Sequence, residues 1–411
     1  MGVAPLSPRR PWRGRRVVLG VTGGIAAYKS VQLARDLTRL GAVVDVVLTR
    51  AAADFVGPLS FEAVTGRPVV SELLAPGHAL EHIRLAREAE VVCVAPATAD
   101  LLARAATGRS DDLLTALLLA TRAPVILCPA MNDRMYAHPQ VQANLRHVAK
   151  VLGYGIVGPA VGPLAYGEGE GPGRMEEPAV IIEHVGRALE GETPLRGRRV
   201  VVTAGPTREP VDPVRFLSNR SSGRMGFALA QAAWRRGADV LLIQGPTLLE
   251  PPPGPRVRRI ETAEEMEAAV RESLADADVL IMAAAVADFR PARVVAEKIK
   301  KAAAPRAIEL EPTPDVLEAT RSARHPGLVV VGFALETENA RENARRKLET
   351  KGLDLVVLNE ATKPGAGFEV ETNQVVLLDR DGGEEELPLM SKAEVAESIL
   401  DRVEALLAAS R

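Results

Sequence analysis

Residues 16–49, RVVLGVTGGIAAYKSVQLARDLTRLGAVVDVVLT, contain one complete strand, turn, helix and strand. VVLGV (17–21) is a continuous apolar run of strand length. From Ala26 to Leu40 the apolar residues recur at helical spacing, Gly41 marks the helix end, and VVDVVLT (43–49) is the next strand. The alternation continues outward through VVCVA (91–95), PVILC (124–128), and helices expected at Asp111 to Thr121 and Pro139 to Leu152. Strands that alternate with helices predict a mostly parallel sheet with helices on both faces. A helix near Ile181 to Leu189 precedes GETPLRG (191–197), a short polar connector, after which RRVVVTAG begins a second round. That round comprises a helix from about Met225 to Arg236, DVLLIQ (239–244), a helix from Glu264 to Leu274, DVLIMAAA (278–285), LVVVGFA (328–334), LDLVVLN (353–359) and a last helix from Lys392 to Leu407. The expected fold is therefore α/β, with two doubly wound, mostly parallel, Rossmann-like domains at 16–190 and 198–411. They are joined by a linker at 191–197 and preceded by a flexible basic leader at 1–15.

Composition narrows the function. The chain has 411 residues, 47% of them hydrophobic and 25% charged, with a formal net charge of −2, so it is an ordinary globular polypeptide without a general attraction to nucleic acid or anionic membrane. Aromatic residues make up only 3%, which leaves few platforms for stacking bases. The first residues lack the apolar core of a secretory signal, and no apolar run approaches the roughly 20 residues that span a bilayer. Cys93 and Cys128 both lie in apolar runs and cannot make a disulfide framework, so a reducing cytoplasm is expected.

Several strings fall where open α/β sheets bind ligands, at the carboxyl ends of strands. Gly23 and Gly24 join the first strand to its helix; such a turn is either merely tight or a phosphate cradle of bare backbone N–H groups. The dinucleotide spacing G-x-G-x-x-G is absent and the second strand ends Leu48-Thr49-Arg50 without an acidic residue, which favours a mononucleotide over NAD. VAPATADL (94–101) and PAMNDRMY (129–136) follow later strands. Met131 and Met135 alone are core filler, whereas Asn132 offers a carboxamide to a carboxylate. His82 in ALEHIRLA is by default a structural histidine. GPLAYGEGEGPGRM (162–175) is glycine-dense and ends near Arg174, as a mobile flap does. In the second half about 20 residues, GPTREPVDPVRFLSNRSSGR (205–224), separate strand from helix, far more than usual. Lysine is rare, with nine in the chain, yet three cluster in AEKIKK (296–301); this is either a solvated face or a polyphosphate site. Asp288 in AAAVADFR lies past a buried strand.

GGIAAYK, HIRLA, APATADL, PAMN and GPGRM, in that order over residues 16 to 190, resemble the flavin-dependent phosphopantothenoylcysteine decarboxylases. The resemblance implies a flavodoxin-like domain that binds FMN near Gly23, Gly24, Ile25, Thr49, Ala95, Pro96, Ala97 and Thr98. It makes His82 an active-site acid/base and puts Asn132 on the substrate carboxylate, with Met131 and the flap residue Arg174 beside the substrate. Members of this kind carry a flap cysteine in an A-C-G pattern; here Ala165-Tyr166-Gly167 takes its place with one extra residue, and Tyr166 or another flap group is the expected proton donor. GPTREPVDPVRFLSNRSSG, AAAVADFRP, EKIKK, VGFALET and LVVLNE, over residues 197 to 405, resemble the CTP-using bacterial phosphopantothenate-cysteine ligases. That resemblance implies Lys298 in forming an acyl-cytidylate, and Asn219, Arg215 and Ala285 in converting it. Gly205, Ser221, Ser222 and Gly223 would bind anions, and Asp288, Phe333, Lys347 and Lys351 the nucleotide or its Mg2+, with Asp288 as metal ligand. The fusion resembles a bifunctional enzyme of coenzyme A synthesis that uses CTP, cysteine and 4′-phosphopantothenate, and then 4′-phosphopantothenoylcysteine. By the same resemblance it is a cytoplasmic homo-oligomer built from decarboxylase trimers and ligase dimers.

Overall fold

The structure, a computed structural model, describes residues 10–74, 80–300, 307–336, 338–360 and 370–409. It divides into two compact units, residues 10–191 and 192–411. In the first, strands β1 (Arg16–Val21), β2 (Val43–Leu48), β3 (Val91–Ala97), β4 (Val125–Pro129) and β5 (Gly155–Ile156) form one parallel sheet in the order β2-β1-β3-β4-β5. That is the flavodoxin-like order, in which the winding reverses between β1 and β3 and opens a crevice at the strands' carboxyl ends. Both faces of the sheet are covered, which is why the strands are mostly apolar; the buried exception, Asp45 in β2, pairs with Arg67 at 2.6 Å. Val17, Leu19 and Val21 pack against Leu33, Leu37, Ile181 and Val185 of helices Ala27–Arg39 and Pro178–Glu190. Val18, Val92 and Val94 pack on the opposite face against Leu101, Leu113, Leu117 and Leu145. A flap hairpin, β6 (Ala160–Pro163) and β7 (Glu170–Arg174), follows β5.

The expected flexible leader is corrected from residue 10 onward; residues 1–9 lie outside the described residues. Trp12 is buried in the first core and its Nε1 donates to Ile182 O at 3.3 Å, while Arg15 pairs with Glu90. A large indole has more to gain from burial than a short basic segment has from freedom.

The second unit has an eight-stranded sheet. Six strands are parallel: β8 (Arg199–Ala204), β11 (Asp239–Gln244), β12 (Arg256–Arg259), β13 (Val279–Met282), β16 (Val329–Glu336) and β17 (Leu355–Glu360). Two antiparallel strands, β19 (Val375–Asp379) and β20 (Glu384–Glu386), extend it beyond β17. The remaining labels belong to short pairs: β9 (Arg208–Pro210) with β10 (Phe216–Ser218), β14 (Phe289–Pro291) with β15 (Leu310–Pro312), and β18 (Thr372–Asn373) with β21 (Met390–Ser391). The long connection after β8 thus folds on itself as the β9–β10 hairpin, whose buried Asp212 accepts backbone N–H bonds from Val214 and Arg215 at 2.8 Å each. Helices Arg224–Arg235 and Lys392–Ala409 cover one face, and between them Arg236 is fully buried against Glu397 (2.6 Å), Asp401 (2.8 Å) and Glu404 (3.3 Å). Burial alone would lower the pKa of this guanidinium; the three carboxylates override it and hold the charge.

Candidate active sites

The crevice at the β1/β3 switch is a cleft of about 970 Å³. Gly23, Gly24, Ile25, Thr49, Thr98, Met131, Asn132 and Arg174 all line it. The helix that starts at Ala27 has no side-chain cap, so its first N–H groups are available to an anion. Gly23 lies so close to the next turn that an added Cβ would sit 2.5 Å from Ala51 Cβ. Ala95, Pro96 and Ala97 do not themselves line the cleft; they form the buried end of β3. Ala95 O accepts from Ser30 Oγ at 2.6 Å and Pro96 O from Thr22 Oγ1 at 2.7 Å; Thr22 Oγ1 in turn accepts from Thr98 N at 3.2 Å. Only Thr98 of that segment reaches the opening.

Asn132 caps the helix Asp133–Ala137 by accepting from Arg134 N at 2.9 Å through Oδ1. With its oxygen occupied, the group it can offer a ligand is its NH2, a donor matched to a carboxylate. The flap docks beside it: Met131 N donates to Gly173 O at 2.9 Å, and a Cβ at residue 173 would fall 2.1 Å from Met131 O, so only glycine fits. Buried Lys29 ties down the flap's end by donating to Met175 O (3.1 Å) and Glu177 (2.9 Å), and this hydrogen bond holds the Glu177 carboxyl below its usual range.

Two residues expected at this cleft do not line it in the single chain. Tyr166 is fully exposed at the flap's tip and is not among the lining residues; Glu168, two residues on, is. The extra residue in the flap lengthens the tip, and the Ala165–Glu168 turn presents Glu168 instead. His82, on helix Glu81–Glu88, does not line the cleft either, and its buried Nδ1 has no hydrogen-bond partner among the described residues. Sequence reasoning also missed Arg104, which lines the cleft and pairs with Asp111 (2.5 Å) and Asp112 (2.8 Å). A common Arg in a helix carries no sequence signal.

The second unit's cleft, about 460 Å³, lies at the carboxyl ends of β8, β13 and β16. Asn219, Ser221, Ser222, Gly223, Ala285, Asp288, Phe333 and Lys347 line it. Asn219 Nδ2 bridges to Ala285 O (3.1 Å) and Val286 O (3.0 Å), joining the loop before helix Arg224–Arg235 to the end of β13. Gly223, at φ +79°, leaves that helix without a side-chain cap, again presenting backbone donors. Gly205 is corrected to a supporting position: its carbonyl accepts from Ala285 N at 2.9 Å and it does not line the cleft.

Lys347 is half-buried and donates to Phe333 O at 2.7 Å. Burial pushes its pKa below the usual lysine value, against the upward pull of Asp315, Glu336 and Asp288 and with a downward push from Lys351. Lys351 does not line the cleft. It pairs with Asp315 (3.0 Å) and Glu318 (3.5 Å), and Asp315 lines the cleft where Lys351 does not. Arg215 and Lys298 also fall outside. The Arg215 guanidinium donates to Ile299 O (3.1 Å) and Asp212 accepts from Ile299 N (3.2 Å), so the AEKIKK segment is fastened to the β9–β10 turn with Lys298 exposed; Lys301 lies outside the described residues. Lining residues that were missed are Arg224, Asn359, Asn373 and Lys392, with the Asn359 Oδ1 buried and without a hydrogen-bond partner among the described residues. Signals existed for two of them, since Asn359 is in LVVLNE and Lys392 is one of the nine lysines.

Family comparisons agree with this two-part geometry. The model described as Flavoprotein matches residues 5–190, and the DNA/pantothenate metabolism flavoprotein C-terminal domain matches residues 195–407. The coenzyme A biosynthesis bifunctional protein CoaBC of Escherichia coli strain K12 is 45% identical over 395 residues, covering 95% of this chain and 97% of the relative. That of Mycobacterium tuberculosis strain H37Rv is 45% identical over 409 residues, covering 96% and 97%. The chain belongs to this family. As a coenzyme A biosynthesis bifunctional protein it is an enzyme of two consecutive steps, a ligase fused to a flavoprotein decarboxylase. Among solved structures, the C-terminal domain of a coenzyme A biosynthesis bifunctional protein is 40% identical, covering 53% of this chain and 99% of that one, with a TM-score of 0.46. A PPC decarboxylase mutant complexed with pantothenoylaminoethenethiol is 31% identical, covering 42% and 97%, with a TM-score of 0.38. No described helix is long and apolar enough to cross a membrane.

Proposed function

We propose that the cleft of residues 192–411 joins 4′-phosphopantothenate to cysteine using CTP, and that the cleft of residues 10–191 decarboxylates the resulting 4′-phosphopantothenoylcysteine to 4′-phosphopantetheine. The observation that carries the proposal is that each cleft combines an uncapped helix N-terminus, suited to phosphate, with one carboxamide from the family motifs, Asn132 in the first and Asn219 in the second.

In the ligase cleft, Gly223, Ser221 and Ser222 hold phosphate through N–H and hydroxyl donors, and Lys347 adds positive charge over the sheet edge. The substrate carboxylate attacks the α-phosphorus of CTP and releases pyrophosphate; the cysteine amine then displaces CMP from the acyl-cytidylate. Asn219 orients the carboxyl region, with the Ala285 carbonyl fixing the amide. Among the described residues no three acidic, His or Cys side chains cluster as a metal site. Mg2+ therefore fits as an ion carried by the phosphates and met by the carboxylate of Asp288, as is usual for this hydrated cation. Lys298 and Arg215, outside their own cleft, support a ligase dimer in which that loop serves a neighbouring site.

In the decarboxylase cleft, FMN fits the cradle of Gly23, Gly24, Thr49 and Thr98, and when bound supplies the electron sink that makes the substrate thiol a thiocarbonyl and later returns the electron pair. Asn132 holds the departing carboxylate by its NH2, and the flap with Arg174 closes the substrate from water. His82, whose Nδ1 has no partner among the described residues, together with exposed Ile25 and Tyr28 at the cleft's rim, supports the trimer, in which His82 completes a neighbour's cleft. Two buried free cysteines support a cytoplasmic location.

Product analysis with single omissions tests the assignment. Without CTP the protein should release no CO2 from carboxyl-labelled cysteine, yet should still decarboxylate added 4′-phosphopantothenoylcysteine. CO2 release from cysteine without CTP would overturn it.

The lowered pKa of Lys347 gives a pH prediction. Only the ammonium attracts phosphate, so KM for CTP should climb as pH rises toward and past that lowered pKa, below the ordinary lysine range, and Lys347→Arg should move the climb to higher pH. Over the same window stability should rise, because the unfolded lysine binds a proton that the folded one has lost. Steady-state CTP kinetics from neutral to alkaline pH check the first sign and thermal unfolding the second.

A further inference from the structure

We infer that Glu168 is the flap acid of the decarboxylase, standing in for the family's cysteine; this rests on the decarboxylase reading above. Four carboxylic acids line the cleft: Asp54, Asp100, Asp112 and Glu168. Asp100 and Asp112 are both paired with Arg104, at 3.5 and 2.8 Å, and Asp112 also caps the helix Leu113–Ala120, so both side chains already have partners. Asp54 follows β2, whereas Asn132 follows β4; two strands intervene, which puts those strand ends about 14 Å apart. Glu168 belongs to the flap whose second strand docks on Met131 and Asn132, the side where the substrate carboxylate is held.

The local backbone explains why this side chain and not Tyr166 borders the cleft. Leu164 N donates to Gly169 O and Glu168 N to Ala165 O, each at 2.9 Å, closing a tight tip. Gly167 and Gly169 flank Glu168 at φ +83° and +79°, a left-handed geometry open to glycine, and the chain reverses at each. Tyr166 is left fully exposed at the tip, and Glu168, also exposed, borders the cleft.

The step balances. Loss of CO2 leaves an enethiolate, with a double bond between the carbon that held the carboxylate and the carbon bearing sulfur. The Glu168 O–H gives its proton to the former carboxylate carbon, the double bond moves to carbon–sulfur, and the hydride removed in the initial oxidation returns to the sulfur-bearing carbon. The product is the saturated thiolate, and the Glu168 carboxylate regains a proton from solvent, to which it is exposed.

The test is a single turnover of FMN-loaded protein with 4′-phosphopantothenoylcysteine, read by mass spectrometry of the product and by flavin colour, with FMN affinity of the flavin-free protein as the structural control. Glu168→Gln should release CO2 at the wild-type rate but form 4′-phosphopantetheine about 100-fold more slowly. The unsaturated enethiol, two hydrogens lighter, should accumulate and the flavin should stay bleached, with FMN affinity unchanged. Glu168→Asp should restore part of the saturated product, and Glu170→Gln, on the flap but outside the cleft, should match wild type. Saturated product from Glu168→Gln at the wild-type rate, or the same defect in Tyr166→Phe instead, overturns the inference. Failure of the wild type to release CO2 would instead sink the decarboxylase reading itself.

Discussion

Asn132→Asp is expected to lower decarboxylase kcat/KM by about 10²- to 10³-fold while CTP-dependent pyrophosphate release continues at the wild-type rate. The substitution isolates one donor. Aspartate is as good an N-cap as asparagine, so the Arg134 N–H keeps its acceptor and the helix Asp133–Ala137 its start. What changes is the other end of the side chain, where the NH2 proposed to face the substrate carboxylate becomes a carboxylate oxygen. Repulsion replaces a hydrogen bond at the group that must leave as CO2. Stopped assays with added 4′-phosphopantothenoylcysteine give the rate, and FMN titration shows whether the cleft is intact. A variant within twofold of wild type would remove Asn132 from the carboxylate.

Arg236→Met should destabilise the second unit by about 3–5 kcal/mol. The methionine fills the space of the aliphatic stem but leaves Glu397, itself buried, with Asp401 and Glu404 nearby and one fewer cation to balance them. Arg235 still reaches Glu397 and limits the loss without cancelling it. Each unit contains one tryptophan, Trp12 in the first and Trp234 in the second, so denaturant unfolding followed by emission in a Trp12→Phe background reports the second unit alone. An unchanged midpoint would show that the carboxylates find other partners or lose their charge.

Much of the fold was legible because a parallel strand covered on both faces must be apolar along its whole length, as Val91–Ala97 and Val329–Val331 are. Glycines after β1 and Thr98 after β3 identified the cleft because carboxyl-edge loops are where such sheets bind. The antiparallel edge was less visible: Val375–Asp379 is a short apolar run like many others, and its partner Glu384–Glu386 is wholly acidic. At the sites, spacing along the chain told which strand end a residue follows but not which way its side chain turns. Ala95 to Ala97 are strand backbone, Lys351 is consumed by Asp315, and Lys298 immediately precedes Ile299, which is fastened to Asp212 and Arg215. The flap illustrates the limit best, because nothing in its spacing tells that Glu168 and not Tyr166 borders the cleft.

The two-cleft arrangement is tested most directly by equilibrium titration of the flavin-free protein with FMN and with CTP and Mg2+, each in the absence and presence of the other. Two separate clefts predict one FMN and one CTP per chain, with the affinity for either unchanged within twofold when the other is saturating. Competition between the two ligands, or protein that takes up no flavin, would contradict it.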